Sequence, residues 1–188
     1  GSGSYVTADA HSMVTTALAT ALQIQGVSIS EIIELLALIN ERAVSLAVLR
    51  AQPEDLDRLE IAEAAISGGT SSSQILHGVD DYLTALILSA HEPILSLIGT
   101  FLARILTRLQ QDMFPRNHKF WKSLTSPLRT ERQEIIKALR DGDGERARAA
   151  VRRYHGLAVK RLSDDPISRD ARVSDGRFAS VITSLISD

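Results

Sequence analysis

Apolar residues recur along the chain at three- and four-residue spacing, and no segment sustains the alternation of a half-buried strand. The pattern predicts an all-α protein, an antiparallel helical bundle of six to seven helices. The first helix runs from about Asp9 to Gln25 and stops at Gly26, a residue suited to the left-handed position after a helix. Ser28, with Glu31 three positions on, forms a capping-box signature, and the run from Ile32 to Leu49 is apolar on more than one face. That helix is expected to be central. Pro53, Glu54 and Asp55 open a third, since proline is free of cost at the first helical position and acids suit the positive end of the helix dipole. It ends at Gly68-Gly69. In "GGTSSS", Ser72 or Ser73 caps a fourth helix from Gln74 to about Ala90, and Pro93 opens a fifth reaching about Asp112.

The stretch from Met113 to Ser126 holds Phe114, Phe120 and Trp121 and is predicted to be an ordered loop, with Trp121 as its plug. Pro127 opens a sixth helix ending near Arg140, "DGDG" is a turn, and a seventh helix spans Glu145 to Leu162. Phe178, Val181, Ile182, Leu185 and Ile186 then mark a short amphipathic helix after a linker. The organisation expected is a helical domain over residues 8–162, followed by a linker and short helix over 163–188.

Composition narrows the functional classes. A chain of 188 residues with 44% hydrophobic residues can bury a sizeable core as one domain. The balance of 21 Lys+Arg against 23 Asp+Glu gives no reason to expect nucleic acid or an anionic membrane as a direct partner of these residues. The absence of cysteine excludes disulfides, thiolate metal sites and Cys nucleophiles, and it fits a reducing, cytoplasmic setting. The apolar stretches Tyr82–Ala90 and Ile94–Ala103 are separated by His91-Glu92-Pro93 and are each too short to span a bilayer, and no signal-peptide pattern opens the chain.

None of the five histidines sits in an HExxH or other paired arrangement. His77 with Asp80 or Asp81, joined in the bundle interior by His155, is one candidate metal or ligand cluster; solvated residues at a helix start are the plainer alternative. There is no glycine-rich phosphate loop and no nucleophile elbow, so the chain does not read as an enzyme and no cofactor is implied. Arg146, Arg148, Arg152, Arg153, Lys160 and Arg161 share the seventh helix, either as a charged outer face or as contacts for carboxylate or phosphate.

The succession "GVSISEIIELLALINERAVSLAVLRAQPEDLDRLE", "YLTALILSAHEPIL" and "ERQEIIKALRDGDGERARAAVRRYHGL" resembles the FadR-type effector-binding and dimerisation domain (FCD) of GntR-superfamily transcription regulators, over about Gly26 to Leu162. "GSGSYV" is similar to the end of the wing in the winged helix-turn-helix that precedes this domain in the family, so residues 1–7 are a wing remnant or a cloning scar. The DNA-binding head itself is not among these residues.

The resemblance implies a metal held by an Asp and a His four residues apart on the fourth helix, a His opening the sixth and a His late in the seventh. Laid on this chain, those positions fall on Val79, Leu83, Arg132 and His155, with Tyr82 at an aromatic position and Leu36 where carboxylate-binding members carry an arginine. A register one residue on restores Asp80 as a ligand beside His155, with no second histidine four residues later. One histidine and one aspartate fall short of the three or four donors a divalent ion needs. Aliphatic replacements instead favour an apolar ligand, and the family's metal-free branch responds to long-chain acyl-CoA.

The reading is therefore a ligand-sensing, dimerising domain whose site comprises Leu36, Val79, Tyr82, Leu83, Arg132, Tyr154 and His155, with Tyr82, Arg132, Tyr154 and His155 serving the ligand's polar end. Its expected partners are a fatty acid or acyl-CoA, a second copy in a homodimer, and operator DNA through the head. Two alternatives stand beside it: a metal-dependent sensor of a small carboxylate using Asp80 or Asp81, His77 and His155, and a filled bundle that only dimerises.

Overall fold

The computed structural model describes residues 10–113, 117–164 and Arg172. Among these residues there are eight α-helices: α1 (Ala10–Gln25), α2 (Ile29–Arg50), α3 (Pro53–Gly68), α4 (Ser72–Leu88), α5 (Pro93–Met113), α6 (His118–Thr125), α7 (Arg129–Arg140) and α8 (Gly144–Ser163). A single 3-10 turn, Ser126–Leu128, joins α6 to α7. Among the described residues the one β-pairing is an isolated bridge between Ser28 and Arg172. The chain is all-α, and no described helix is long and apolar enough to cross a membrane.

The predicted boundaries follow from local chemistry. Gly26 takes φ 61° after α1. The Ser28 amide donates to Glu31 Oε2 at 2.7 Å while the Glu31 amide donates to Ser28 Oγ, so two groups left free by the start of α2 are satisfied reciprocally. Gly142 takes φ 72° in the turn between α7 and α8. One corner was not predicted: His91 adopts φ 46° between α4 and α5, a conformation costly to a side chain with a Cβ. It is held there from both sides. Its Nε2 lies 2.7 Å from Asp55 Oδ2, and Arg50 Nη1 donates to the carbonyls of Ala90 and His91.

The expected loop from Met113 to Ser126 is largely helical. Asn117 Oδ1 accepts from the Lys119 amide at 2.9 Å and starts α6, whose Trp121 and Thr125 are buried. With Phe120 and Leu124 also packed inward, the four-residue spacing is that of an amphipathic helix too short to stand out among neighbouring prolines. The 3-10 turn then absorbs Pro127, so α7 begins two residues later than predicted. The predicted helix from Phe178 lies outside the described residues.

As expected, α2 is central, packing on α4, α5, α7 and α8. Ile29, Ile32, Ile33, Leu36, Val44 and Ala47 place its inward face in the main core. The helices α3 and α4 approach closely at Gly78, where a Cβ would lie 3.0 Å from the Ile66 amide nitrogen and 3.3 Å from the Ala62 carbonyl oxygen. Only a residue without a side chain permits that approach.

Candidate functional site

The bundle holds a partly open cavity of about 60 Å³ beside α6, bounded by residues of α2, α4, α5, α7 and α8. Its walls are mostly aliphatic: Ile33, Val79, Leu83, Leu106, Leu128 and Leu162. The sole tryptophan of the chain, Trp121, lines it together with Leu124 and Thr125, so α6 forms one side. Polar edges come from Gln110, Arg132, Tyr154, His155 and Arg161.

Five of the seven sequence-predicted site residues, Val79, Leu83, Arg132, Tyr154 and His155, meet at this cavity, although they come from three helices. Four of the five are the positions at which the resemblance would place metal ligands. The other two predicted residues stand behind the wall. Leu36 is fully buried in the core, and Tyr82 turns its hydroxyl away to donate to the Arg132 carbonyl at 3.0 Å. Its ring lies 6.3 Å from that of Tyr154, so Tyr82 supports the site without lining it. Burial raises the phenol pKa of both tyrosines, which therefore stay neutral.

Arg132 is 1% exposed, and a buried cation requires partners. Its Nε donates to Glu63 Oε2 on α3, and its Nη1 donates to the Thr125 carbonyl at 3.0 Å. Its Nη2 is buried without an acceptor. Glu63 is buried as well, and its other oxygen accepts from Ser67 Oγ at 2.6 Å and faces Arg129 Nε at 3.7 Å. His155 is held from α2: Asn40 Nδ2 lies 2.9 Å from His155 Nε2. Burial lowers the imidazole pKa to about 4, so the ring is neutral at physiological pH, and accepting from Asn40 leaves its proton on Nδ1.

This donor set does not fit a metal. Two of the four positions are aliphatic, the third is a guanidinium and the fourth is an imidazole whose Nε2 already faces an amide. The other candidate ligands are not brought to it. Asp80 Oδ1 accepts from Thr107 Oγ1 at 2.9 Å, and the exposed His77 lies with its Nδ1 2.8 Å from the Ser73 carbonyl oxygen. Both border a surface groove with Arg104 and Arg108, while His155 lines the interior cavity; Asp81 is exposed. Among the described residues, no group of three His, Cys, Asp or Glu side chains is placed to hold a metal ion.

The arginines of α8 are also largely committed elsewhere. Arg146 pairs with Glu134 and Asp141, Arg148 with Glu145, Arg152 with Glu41 and Arg153 with Glu131. They brace the outside of the bundle, and of the basic residues predicted on this helix only Arg161 borders the cavity. Arg161 Nη1 reaches the Ser123 carbonyl at 3.5 Å, tying α8 to α6.

Sequence reasoning passed over Glu63 and Asn40. Each was visible as a polar residue on an inward stripe, Glu63 between Leu59 and Ile66 and Asn40 between Leu36 and Val44. A polar residue at such a position implies a buried partner but does not say which one.

An all-α bundle with one small, mostly apolar interior cavity and a few fixed polar groups defines a small-molecule binding domain in architecture. The family model of the FCD domain matches residues 31–156, and the chain belongs to that family: it is the ligand-sensing and dimerisation domain of a GntR-family transcription regulator. No curated protein matches the chain.

Proposed function

We propose that this domain senses an acyl compound, with the aliphatic body packed against Val79, Leu83 and Leu106 and the polar head directed to Arg132. The observation that carries the reading is one cavity with aliphatic walls and a buried guanidinium nitrogen, Nη2, that has no acceptor. Such a wall exchanges water for methylene groups at about 0.8 kcal/mol for each buried CH₂. A neutral His155 and neutral tyrosines add no charge that an apolar body must meet.

Size refines the class. An apolar protein cavity of about 150 Å³ admits benzene. At about 60 Å³, this one accommodates only a short acyl group as it stands. A long-chain fatty acid or acyl-CoA requires α6 and α8 to part, and that requirement supplies a mechanism. A ligand that binds only the parted arrangement shifts the population toward it by its differential affinity. In the regulator, a cytoplasmic homodimer carrying winged-helix heads, such a shift would alter the spacing of the two heads on operator DNA. Exposed Leu35 and Leu38 on α2 and Ile94 and Ile98 on the adjoining α5 offer a face for the second copy.

The test is a thermal-shift series with straight-chain fatty acids and their primary amides, read in parallel by Trp121 fluorescence. Stabilisation should saturate and grow with chain length in at least one series, by mass action on the native state. A flat response in both series removes the reading and favours a bundle that only dimerises.

A further inference from the structure

Charge around the cavity is already balanced before any ligand arrives. Arg132 is the one cavity-lining cation that is itself buried, and its Nε is taken by the buried carboxylate of Glu63. Its Nη1 is taken by the Thr125 carbonyl at 3.0 Å. What remains is the Nη2 amino group, buried and without an acceptor. Among the described residues no further buried charge lines the cavity, because His155 is neutral, while Arg161 stands exposed at the rim against the Ser123 carbonyl. Arg129, which also faces Glu63, has a side chain 58% exposed and is screened by water.

We propose that the head selected by this cavity is a neutral acyl carbonyl, an ester, thioester or amide, in preference to a free carboxylate, and that Glu63 sets the preference. The proposal rests on the cavity being the effector site. A carboxylate at Nη2 stands beside the Glu63 carboxylate across one guanidinium, so a single buried cation is left between two buried anions, with Arg129 and Arg161 both exposed to water. In a medium of low polarity that arrangement is strongly unfavourable. A carbonyl oxygen takes the same N–H without bringing a charge to desolvate. The free donor is thus suited to a hydrogen bond and poorly suited to a second ion pair.

Glu63→Gln separates charge from shape, since the amide oxygen still accepts from Arg132 Nε while the negative charge is gone. Hexanamide and sodium hexanoate share one chain length and differ in head charge. They are titrated at pH 7.5 into the full chain and into Glu63→Gln, with Trp121 fluorescence as the readout and circular dichroism confirming that the variant is folded. The unsubstituted protein should bind hexanamide at least about tenfold more tightly, and Glu63→Gln should reverse the order. A second measurement needs no variant: hexanoate affinity should rise as the pH falls toward about 5 and the probe becomes neutral, with hexanamide affinity unchanged. Equal affinities, a preference for hexanoate, or a ratio that Glu63→Gln leaves unmoved would overturn the proposal. Binding of neither probe and of no longer acid or amide removes the effector-site reading instead, and the head preference with it.

Discussion

Glu63 on α3 and Arg132 on α7 lie 69 positions apart and share a buried hydrogen bond between Oε2 and Nε. Each is nearly inaccessible to water, at 5% and 1% exposure. The pair joins two helices that are not sequence neighbours, and it borders two spaces at once: Arg132 faces the cavity while Glu63 lines a surface groove between α3 and α7. Whatever occupies the cavity therefore acts on a group that helps position α3.

Removing one partner leaves the other charged and buried, whereas removing both leaves an apolar contact. Arg132→Met and Glu63→Leu should each lower the unfolding free energy by about 3–5 kcal/mol, and the double variant should lose less than either alone. Urea denaturation of the four proteins completes the cycle. Additive losses would show that the two side chains stabilise the fold independently.

The helices were legible in the sequence because their signals are local. The Ser28 and Glu31 capping box, Pro53 and Pro93 at helix starts, and Gly26 and Gly142 at positive φ act within a few residues of where they stand. α6 was not, because eight residues give barely two turns of periodicity and the surrounding prolines read as loop punctuation. The candidate site divides in the same way. Val79, Leu83, Arg132 and His155 were placed by register against a family pattern, and all four are among the residues lining the cavity. The partners that define its chemistry, Glu63 for Arg132 and Asn40 for His155, are 69 and 115 positions away, a separation that helix periodicity does not bridge. Tyr82 and Leu36 show the remaining limit: periodicity identified an inward face but not whether a side chain reaches the void or the wall behind it.

Two glycines provide opposite tests of the packing. At Gly78 an added Cβ would meet Ile66 Cγ1 at 2.9 Å and the Ile66 backbone nitrogen at 3.0 Å, and backbone cannot move aside without separating α3 from α4. Gly78→Ala should cost about 1–3 kcal/mol despite alanine's better helix propensity. Gly156, in the exposed middle of α8, has nothing within 4 Å of an added Cβ. Gly156→Ala should stabilise by about 0.5–1 kcal/mol through the unfolded chain's lost freedom. Thermal melts of the two variants should move in opposite directions. A stabilising Gly78→Ala would show that the helices are less closely apposed than this.

His155 couples folding to pH in a window of its own. Buried beside Asn40, its pKa falls to about 4, against about 6.5 in an unfolded chain. Between those values the unfolded state binds a proton that the folded state refuses, so stability is complete above about pH 6.5 and declines as the pH falls toward 4. The full difference corresponds to about 3 kcal/mol. Carboxylates contribute at lower pH. Burial works to raise the Asp55 pKa, and the Gln52 amide, His91 and Arg58 outweigh it, so its ionised form is favoured on folding and that contribution is lost only below about pH 4. The Ser28 hydrogen bonds lower Glu31 and the Arg146 guanidinium lowers Glu134, which places their losses in the same acid range. Urea denaturation from pH 7 to 4.5 should show a steady loss of stability. His155→Gln, which keeps an oxygen acceptor for Asn40 and cannot titrate, should flatten that loss while leaving the steeper decline below pH 4 in place. An unchanged slope in the variant would assign the acid sensitivity to another group.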